Sequence, residues 1–279
     1  MTRTERPAPR GRIMSTRLVA ERLRVSEATV KRWADEGLLA CYRTPGGHRK
    51  FRPSDVTAFV SAHGFGSADA GEIRSADRDD ALALALKGDA PRLFELCRRR
   101  LEGGLALERL CDEVLGQALI EVGERWACDS ISVADEHVAT STVCQVLAQL
   151  APVVTVKPTR GIAICGCTAG DRHDVASRMA ALLLGSRGYG ALVVGADTPP
   201  ESLARLIVRH RTSVVTVSVS LSVATQPELP ANLAVIAAAA REAKARLFVG
   251  GRGVTDGLVL PEGAVRVANM RALGLALPR

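Results

Sequence analysis

Residues 161–186, with the sequence GIAICGCTAGDRHDVASRMAALLLGS, contain the pattern that decides the fold of the C-terminal half of this chain. The apolar run 161–165 predicts a buried strand, and residues 174–186 have a helical pattern. Asp171 and His173 lie between the two, where ligands of open α/β sheets bind. Because a neighbouring carboxylate orients a metal-bound histidine and raises its basicity, the pair predicts a metal-ligand site.

Strand and helix patterns alternate from residue 161 to the C-terminus. Such alternation predicts a doubly wound parallel sheet of the flavodoxin-like or Rossmann-like kind, which we assign to residues 159–279. The predicted strands are 161–168, 191–195, 214–221, 247–250 and 265–268. The predicted helices are 174–186, 200–209, 229–244 and a short one near Thr255.

Upstream of the sheet, residues 79–152 have a helical pattern throughout. Breaks near 88–89, 103–104 and 128–131 divide it into four helices, which predicts an antiparallel four-helix bundle. Residues 63–78 are rich in Gly, Ser, Ala and charge, as is typical of a linker.

The formal net charge of +7 is concentrated at the N-terminus. Residues 1–62 carry 13 Lys and Arg against 6 Asp and Glu, whereas the rest of the chain carries 24 of each kind. A localised basic excess is typical of a nucleic-acid-binding module. The alternative is a solubilising basic tail. Residues 1–14, with two prolines and several arginines, predict a disordered basic arm.

Residues 15–62 have the pattern of a winged helix-turn-helix domain. The second helix begins after the N-cap residue Ser26, and a strand at 38–43 and a return strand at 48–51 form the wing. In such domains the second helix enters the major groove and the wing reaches phosphates or the minor groove. The predicted DNA contacts are Ser26, Thr29, Lys31, Arg32, Arg43, Thr44, His48, Arg49 and Lys50.

The same segment resembles the winged helix-turn-helix of the MerR family over about 48 residues. The resemblance is carried by Val25-Ser26-x-x-Thr29-Val30-x-x-Trp33-x-x-x-Gly37-Leu38-Leu39 and Arg43-Thr44-Pro45-Gly46-Gly47-His48-Arg49. It implies double-stranded operator DNA as a partner. The linker follows, instead of the long dimerising helix of metal-sensing MerR proteins.

Several short motifs in the sheet region share a characteristic spacing. The first motif is Asp171-x-His173-x-x-Ala176. After 41 residues comes Ser218-Val219-Ser220, and after 29 more comes Gly250-Gly251. It is similar to the cobalamin-binding signature of methionine synthases and corrinoid mutases. The resemblance implies that His173 is the lower cobalt ligand and that the displaced nucleotide tail enters the sheet beside the serines and glycines.

Two positions depart from that signature, and the histidine has an alternative interpretation. Ala176 replaces a glycine and Ser220 replaces a leucine, both at positions that the resemblance puts near the nucleotide tail. The alternative for His173 is a helix-capping or surface histidine.

The helical segment carries a further motif, Trp126 followed by nine residues and then Glu136-His137. It resembles the helical cap of light-sensing, cobalamin-dependent MerR-type repressors, the CarH/LitR family. The resemblance implies that these side chains cover the upper, adenosyl face of the cofactor. The alternatives are bundle core for the tryptophan and a solvated helix face for the other two residues.

Some members of that family carry a histidine directly after the tryptophan, and it binds cobalt once light has removed the adenosyl group. This chain has Ala127 there, followed by Cys128. The bis-histidine photoproduct is therefore not expected from this position. Cys128, His137 or water are the alternatives for the upper position.

Taken together, the resemblances imply a DNA-binding transcriptional regulator, a repressor and not an enzyme, that senses adenosylcobalamin and, through its photolysis, light. Association into dimers or tetramers is expected. One alternative is a MerR-type regulator that has lost the cobalamin or light response and senses another ligand or partner. A second is a corrinoid methyltransferase component. Without a signal peptide or an apolar run of about 18 residues, the chain is expected to be cytoplasmic and not membrane-bound.

Overall fold

The computed structural model describes residues 13–23, 27–35, 37–44, 46–56, 59, 73 and 75–277. They belong to two compact units. The N-terminal unit comprises residues 1–72 and 100–105, and the C-terminal unit comprises residues 73–99 and 106–279.

The described residues of the N-terminal unit form two helices, a further helical segment and a small antiparallel sheet. Its elements are β1 (Met14–Ser15), α1 (Thr16–Leu23), α2 (Glu27–Asp35), β2 (Tyr42–Arg43) and β3 (Arg49–Phe51). The strand order is β1-β3-β2, and residues 53–56 are helical. Apolar side chains from β1, α1, α2 and β3 form one core with Leu39, Val56 and Phe59, and the ring centroids of Trp33 and Phe59 are 4.9 Å apart. This arrangement confirms the predicted winged helix-turn-helix.

Two details of this unit differ from the prediction. Met14, the last residue of the predicted disordered arm, is buried in β1 and pairs with Phe51, whereas residues 1–12 of that arm lie outside the described residues. Leu38 and Leu39 are not in a strand, because their N–H groups both donate to the carbonyl of Trp33. This turn after Gly37, whose φ is +73°, closes α2 and sends Leu39 into the core.

The helical region consists of α3 (Ser75–Leu86), α4 (Ala90–Glu102), α5 (Leu107–Arg109), a π-helix (Leu110–Leu115), α6 (Gly116–Ala127) and α7 (Val133–Val154). A capping box starts α7, since Ser132 and Asp135 exchange side-chain-to-backbone hydrogen bonds. Two boundaries differ from prediction: α3 begins inside the predicted linker, and α7 continues past Pro152. Proline removes a single N–H, and the N–H of Thr155 still bonds the carbonyl of Ala151.

By length and composition alone, α7 is long and apolar enough to cross a membrane, which differs from the expectation that the chain has no apolar run of about 18 residues. Its side chains Val143, Val146 and Leu150 are buried in the helical region, as in the core helix of a globular domain.

The remaining elements form a five-stranded parallel sheet with helices on both faces. They are β4 (Ile162–Cys167), α8 (Val175–Ser186), β5 (Gly190–Gly195), α9 (Pro200–Arg209), β6 (Val214–Ser218), α10 (Leu229–Ala243), β7 (Arg246–Gly250), β8 (Ala264–Val267) and α11 (Met270–Ala276). One face packs on α8 and α11, and the other on α9 and α10. The five predicted strands and three long helices are confirmed.

The strand order, β5-β4-β6-β7-β8, fixes where a ligand would bind. The chain winds from β4 to β5 on one side and then returns to place β6 on the other. The topological switch point therefore lies between β4 and β6, where open α/β sheets bind ligands beyond the carboxyl ends of the strands. Cys167 is paired with Ser218, and Ser218 with Gly250, so the predicted motifs meet at this edge.

One predicted helix is absent and another was missed. Around Thr255 the chain forms a loop, because the guanidinium of Arg266 donates to the carbonyls of Val254, Thr255 and Leu258 and holds them outside a helical pattern. The missed helix is α11. Its signal was the N-cap Asn269, whose side chain accepts a hydrogen bond from the N–H of Ala272.

Candidate functional site

The loop between β4 and α8 presents His173 on a buried carboxylate. Asp171 is fully buried, whereas the side chain of His173 is 61 % exposed. Asp171 Oδ1 accepts a hydrogen bond from the backbone N–H of His173 at 3.0 Å and lies 3.1 Å from its Nδ1. This contact favours the neutral tautomer in which Nδ1–H donates to the carboxylate, and that tautomer leaves the Nε2 lone pair free for a metal.

The second oxygen of the same carboxylate reaches across the switch point. Asp171 Oδ2 accepts a hydrogen bond from the backbone N–H of Ser220 at 2.8 Å. The backbone of Ser220 therefore helps to position His173 through Asp171. The hydroxyl of Ser220 forms a hydrogen bond with that of Ser222. Ser220 is not among the residues that line the pocket described next, so its expected place near the nucleotide tail stays a prediction.

A narrow pocket of about 40 Å³ opens between the carboxyl ends of the strands and the helices α8 and α11. The hydroxyls of Ser177 and Ser218 meet in it at 3.1 Å. The residues that line it include Ala176, Ser218, Gly250, Gly251, Met270 and Leu273. Ala176, Ser218 and the two glycines thus come together as their spacing predicts.

The two glycines are required by the neighbouring backbone. A Cβ on Gly250 would come within 2.7 Å of the carbonyl oxygen of Val267. A Cβ on Gly251, whose φ is +107°, would overlap the carbonyl oxygen of Val219. These glycines let the ends of β6, β7 and β8 approach closely and keep the wall of the pocket free of side chains.

The donor set and the shape of this edge fit the lower face of a corrinoid. An imidazole oriented by a buried carboxylate is a suitable cobalt ligand. The hydroxyl of Thr168, at the start of the same loop, is buried without a hydrogen-bond partner in the structure. That leaves one polar group available for a ligand.

Three residues predicted for the upper face lie on α6 and α7. Trp126 is 50 % exposed near the end of α6, which excludes the alternative that it is ordinary bundle core. Glu136 is mostly buried, and its Oε1 accepts a hydrogen bond from the hydroxyl of Thr140 at 2.8 Å. His137 is exposed, with Nε2 3.6 Å from Glu136 Oε2. Among the described residues, no hydrogen bond or ion pair joins Trp126 to that pair.

Cys128, next to the predicted upper face, caps α6. Its thiol donates to the carbonyl of Arg125 at 3.4 Å and lies 3.0 Å from the hydroxyl of Ser130. The thiol is exposed, unlike the buried Cys97 and Cys111, whose pKa is raised by burial, for Cys97 to about 12.

The predicted DNA-binding residues fall into two groups. Lys31, Arg32, Arg43 and His48 are exposed, and Thr44 and Lys50 are half-buried. Ser26 and the side chain of Thr29 lie outside the described residues. The N–H of His48 donates to the hydroxyl of Thr44, which shapes the tip of the wing.

Arg49 has a structural role that the sequence did not indicate. Its side chain is 17 % exposed, and its Nη2 donates to both carboxylate oxygens of Asp35, at 2.5 and 2.8 Å. Hydrogen bonding to Arg49 lowers the pKa of Asp35, with smaller electrostatic contributions from Arg49 and Arg43. The pair joins β3 to the end of α2, so the guanidinium of Arg49 is engaged within the domain, and its contact with DNA stays a prediction.

Comparison with known proteins finds matches to the helix-turn-helix unit and to the helical region. A helix-turn-helix domain model matches residues 13–64, and a B12 binding domain model matches residues 78–151. The repressor CarH of Myxococcus xanthus is 26 % identical over 231 residues, which cover 72 % of this chain and 77 % of CarH. The repressor CarA of the same organism is 31 % identical over 112 residues, covering 40 % of this chain and 37 % of CarA.

A third relative, the transcriptional repressor DcmR of Methylorubrum extorquens, is 38 % identical over 76 residues, which cover 27 % of this chain and 28 % of DcmR. Among solved structures, the monomethylamine corrinoid protein of Methanosarcina barkeri matches with a TM-score of 0.58 at 17 % identity. The match covers 73 % of this chain and 97 % of that one. At this identity the likeness concerns the fold alone.

Fold, site and matches together define a transcriptional regulator in which a helix-turn-helix domain is combined with a B12-binding domain. Within that class, the chain is similar to CarH and CarA, which are both helix-turn-helix transcriptional repressors.

Proposed function

We propose that this protein represses transcription from a double-stranded DNA operator, with adenosylcobalamin as its sensor ligand and light as a signal. The observation that carries the proposal is the His173–Asp171 pair at the switch point of the sheet. It lies on a chain that also has a basic helix-turn-helix domain. When bound, adenosylcobalamin supplies a cobalt–carbon bond that light cleaves.

For the lower face we assign the cobalt ligand to His173 Nε2. Asp171 holds Nδ1–H and makes the ring a better donor. Ala176, Ser218, Gly250 and Gly251 would border the nucleotide tail. The pocket is narrow, at about 40 Å³, so we expect α11 or the loops beside it to move outward when the tail enters.

For the upper face we assign Trp126, Glu136 and His137. The exposed indole offers a flat apolar surface at the end of α6. The bond between Thr140 and Glu136 holds the carboxylate in one orientation on α7. Ala127 has no side chain that could bind cobalt, so we expect Cys128, His137 or water in the upper position after photolysis.

For DNA we assign α2 to the major groove and the wing to phosphates or the minor groove. The residues proposed to contact it are Ser26, Thr29, Lys31, Arg32, Arg43, Thr44, His48 and Lys50. Contacts from lysine and arginine to phosphates would make affinity fall steeply with salt concentration.

We further propose that the ligand controls assembly into dimers or tetramers in the cytoplasm. If adenosylcobalamin binds the associated form better, it shifts the equilibrium toward that form. Linked DNA-binding domains then act at a raised effective concentration on one operator. The domain boundaries we propose are 15–62 for DNA binding, 79–152 for the cap and 159–279 for the cobalamin-binding fold.

The test uses the full chain and adenosylcobalamin in the dark, followed by green light. Absorption spectrum, mass in solution and affinity for an operator selected from a randomised double-stranded pool are measured at both stages. We expect a bound, coloured protein, a larger assembly and tight DNA binding in the dark, and loss of the last two after illumination. The His173→Ala variant should change the bound spectrum, whereas a control, His210→Ala at the end of α9, should not. An unchanged mass and unchanged DNA affinity would refute the light mechanism.

A second candidate is a regulator of the same class without a cobalamin or light response. The narrow pocket favours it, as do Ala127 and Ala176, which depart from the family motifs. A protein that stays colourless after incubation with adenosylcobalamin, yet binds DNA, would support this candidate.

A further inference from the structure

Two loops at the carboxyl edge of the sheet are joined by a reciprocal pair of hydrogen bonds. Asp197 follows β5, and its Oδ1 accepts a hydrogen bond from the backbone N–H of Gly170 at 2.6 Å. In return, the N–H of Asp197 donates to the carbonyl of Asp171 at 2.8 Å. The two bonds hold the peptide group between Gly170 and Asp171, just before His173. Asp197 lies 27 residues after Gly170 in the sequence.

The backbone conformation of both partners is specific to this contact. Asp197 has a φ of +49°, a left-handed conformation that Asp and Asn adopt more readily than other side chains. Gly170 has a φ of +78°, and a Cβ there would come within 3.0 Å of the side-chain amide of Gln226. Neither position therefore tolerates an arbitrary residue.

The orientation of His173 depends on this contact through Asp171. The carboxylate of Asp171 aligns the imidazole of His173. The position of that carboxylate in turn depends on the hydrogen bonds that hold the backbone of Asp171. Its N–H donates to the carbonyl of Thr168, and its carbonyl receives the N–H of Asp197. A carboxylate that accepts from a backbone N–H forms a charge-assisted bond, which is stronger than a neutral one.

We propose that Asp197 is a positioning residue for His173. It fixes the peptide between Gly170 and Asp171 and thereby fixes the direction in which His173 Nε2 points. This inference rests on the proposed function, because it takes His173 to be the cobalt ligand. Loss of the Asp197 side chain leaves the Gly170 N–H without its partner and lets the loop adopt several conformations.

The experiment compares three variants of the full chain with the wild type. Asp197→Ala removes the acceptor. Asp197→Asn keeps an acceptor and a residue suited to the left-handed backbone. Lys244→Ala is the matched control, since Lys244 also has a left-handed φ of +57° but precedes β7, at the opposite edge of the sheet.

The first readout is ligation of cob(II)alamin, observed by electron paramagnetic resonance with the histidine rings labelled with ¹⁵N. Ligation by protein imidazole gives doublets, whereas the cofactor's own unlabelled base gives triplets. We expect doublets for wild type, Asp197→Asn and Lys244→Ala. For Asp197→Ala we expect a mixture with triplets and binding weaker by about tenfold, which corresponds to one lost hydrogen bond to a charged group.

The second readout is hydrogen exchange of the Gly170 and His173 amides in the protein without cofactor. We expect faster exchange of both in Asp197→Ala, with near-normal exchange in the other variants and an unfolding temperature of Asp197→Ala close to that of Lys244→Ala. If Asp197→Ala keeps full doublets and wild-type exchange, the positioning role is refuted. If the wild type itself shows no doublets, the ligand role of His173 fails, and this inference fails with the proposed function.

Discussion

The carboxylate of Asp112 accepts a hydrogen bond at 2.9 Å from the backbone N–H of Met270, the first residue of α11. Its other oxygen accepts from the N–H of Arg271 at 3.0 Å. A side chain from the π-helix of the helical region therefore caps a helix that lines the pocket proposed for the nucleotide tail. The contact joins the two halves of the C-terminal unit across 158 residues of sequence.

Removing this cap should destabilise the C-terminal unit. Asp112→Ala leaves two N–H groups at the start of α11 without their partner, and loss of such a cap costs about 1 kcal/mol. Urea denaturation followed by far-ultraviolet circular dichroism measures the change in the free energy of unfolding. Ser222→Ala, a substitution on an exposed turn, is the control. Equal stability of the two variants would contradict the capping role.

The pH dependence of stability should also change at this position. Burial raises the pKa of Asp112 above its ordinary value, although the two backbone hydrogen bonds oppose the shift. The folded state therefore binds the proton more tightly than the unfolded state. This contribution to stability is present at pH values below the unfolded pKa and is lost as the pH rises through the folded pKa.

The variant Asp112→Asn carries no titrating group there. As the pH rises from about 4, the free energy of unfolding of the variant should therefore increase relative to that of the wild type. Parallel urea titrations across the acid range check the prediction. A difference between the two proteins that is independent of pH would show that the carboxyl is not perturbed.

Substitution of Asp171 should affect both folding and cobalamin binding. Asp171→Ala leaves the N–H groups of His173 and Ser220 without their acceptor, and a buried unsatisfied group costs about 1–3 kcal/mol. The expected result is a lower unfolding temperature and a weaker shift of the cobalamin spectrum. Arg172→Ala, on the exposed side of the same loop, should change neither.

DNA affinity and fold stability should separate in the N-terminal unit. Lys31→Ala on the exposed face of α2 should weaken operator binding and reduce the salt dependence of log K by about one unit of slope, without changing the unfolding temperature. Arg49→Ala breaks the pair with Asp35 and should lower the unfolding temperature instead. Fluorescence anisotropy across a salt series and differential scanning calorimetry measure the two effects. Identical profiles for the two variants would mean that Arg49 also acts mainly through DNA.

Gly251→Ala should be among the most destabilising substitutions in the sheet region. It combines a φ of +107° with overlap on the carbonyl oxygen of Val219, at a cost of at least about 2 kcal/mol. Gly257→Ala is the matched control, because a Cβ there meets nothing within 4 Å. Differential scanning calorimetry measures the unfolding temperature of both variants. A large decrease for Gly251→Ala and a small one for Gly257→Ala would show that the close backbone approach at Gly251 requires glycine.

Much of this architecture could be predicted because local signals agree with the final packing. The run from Ile162 to Cys167 is apolar throughout, as expected of a strand covered on both faces, and the strands that follow have the same character. Gly88 has a positive φ in the turn between α3 and α4, where the helical pattern breaks. The spacing of His173, Ser218 and Gly250 works as a signal because each lies at or just beyond the carboxyl end of a strand, and parallel strands end at one edge.

Other features depend on partners that are distant in sequence. The acceptor for Arg49 is 14 residues away, on another element, so the arginine could not be told apart from its exposed neighbours. Asp197 has no motif of its own, and its role follows from the pairing of β4 with β5. The loop at Thr255 is held by Arg266 from β8, which lies 11 residues further along the chain.

The sequence by itself determined the order of the elements and the residue types at the edge of the sheet, because hydrophobic period, glycine and proline are local properties. Only the tertiary structure decided which of those residues are fixed by hydrogen bonds and which groups provide those bonds. The carboxylate of Asp171, in the loop after β4, accepts a hydrogen bond from the N–H of Ser220, just after β6, and this contact exists only because β4 and β6 are paired. Contacts of this kind join segments that are distant in sequence, so the local hydrophobic pattern does not indicate them.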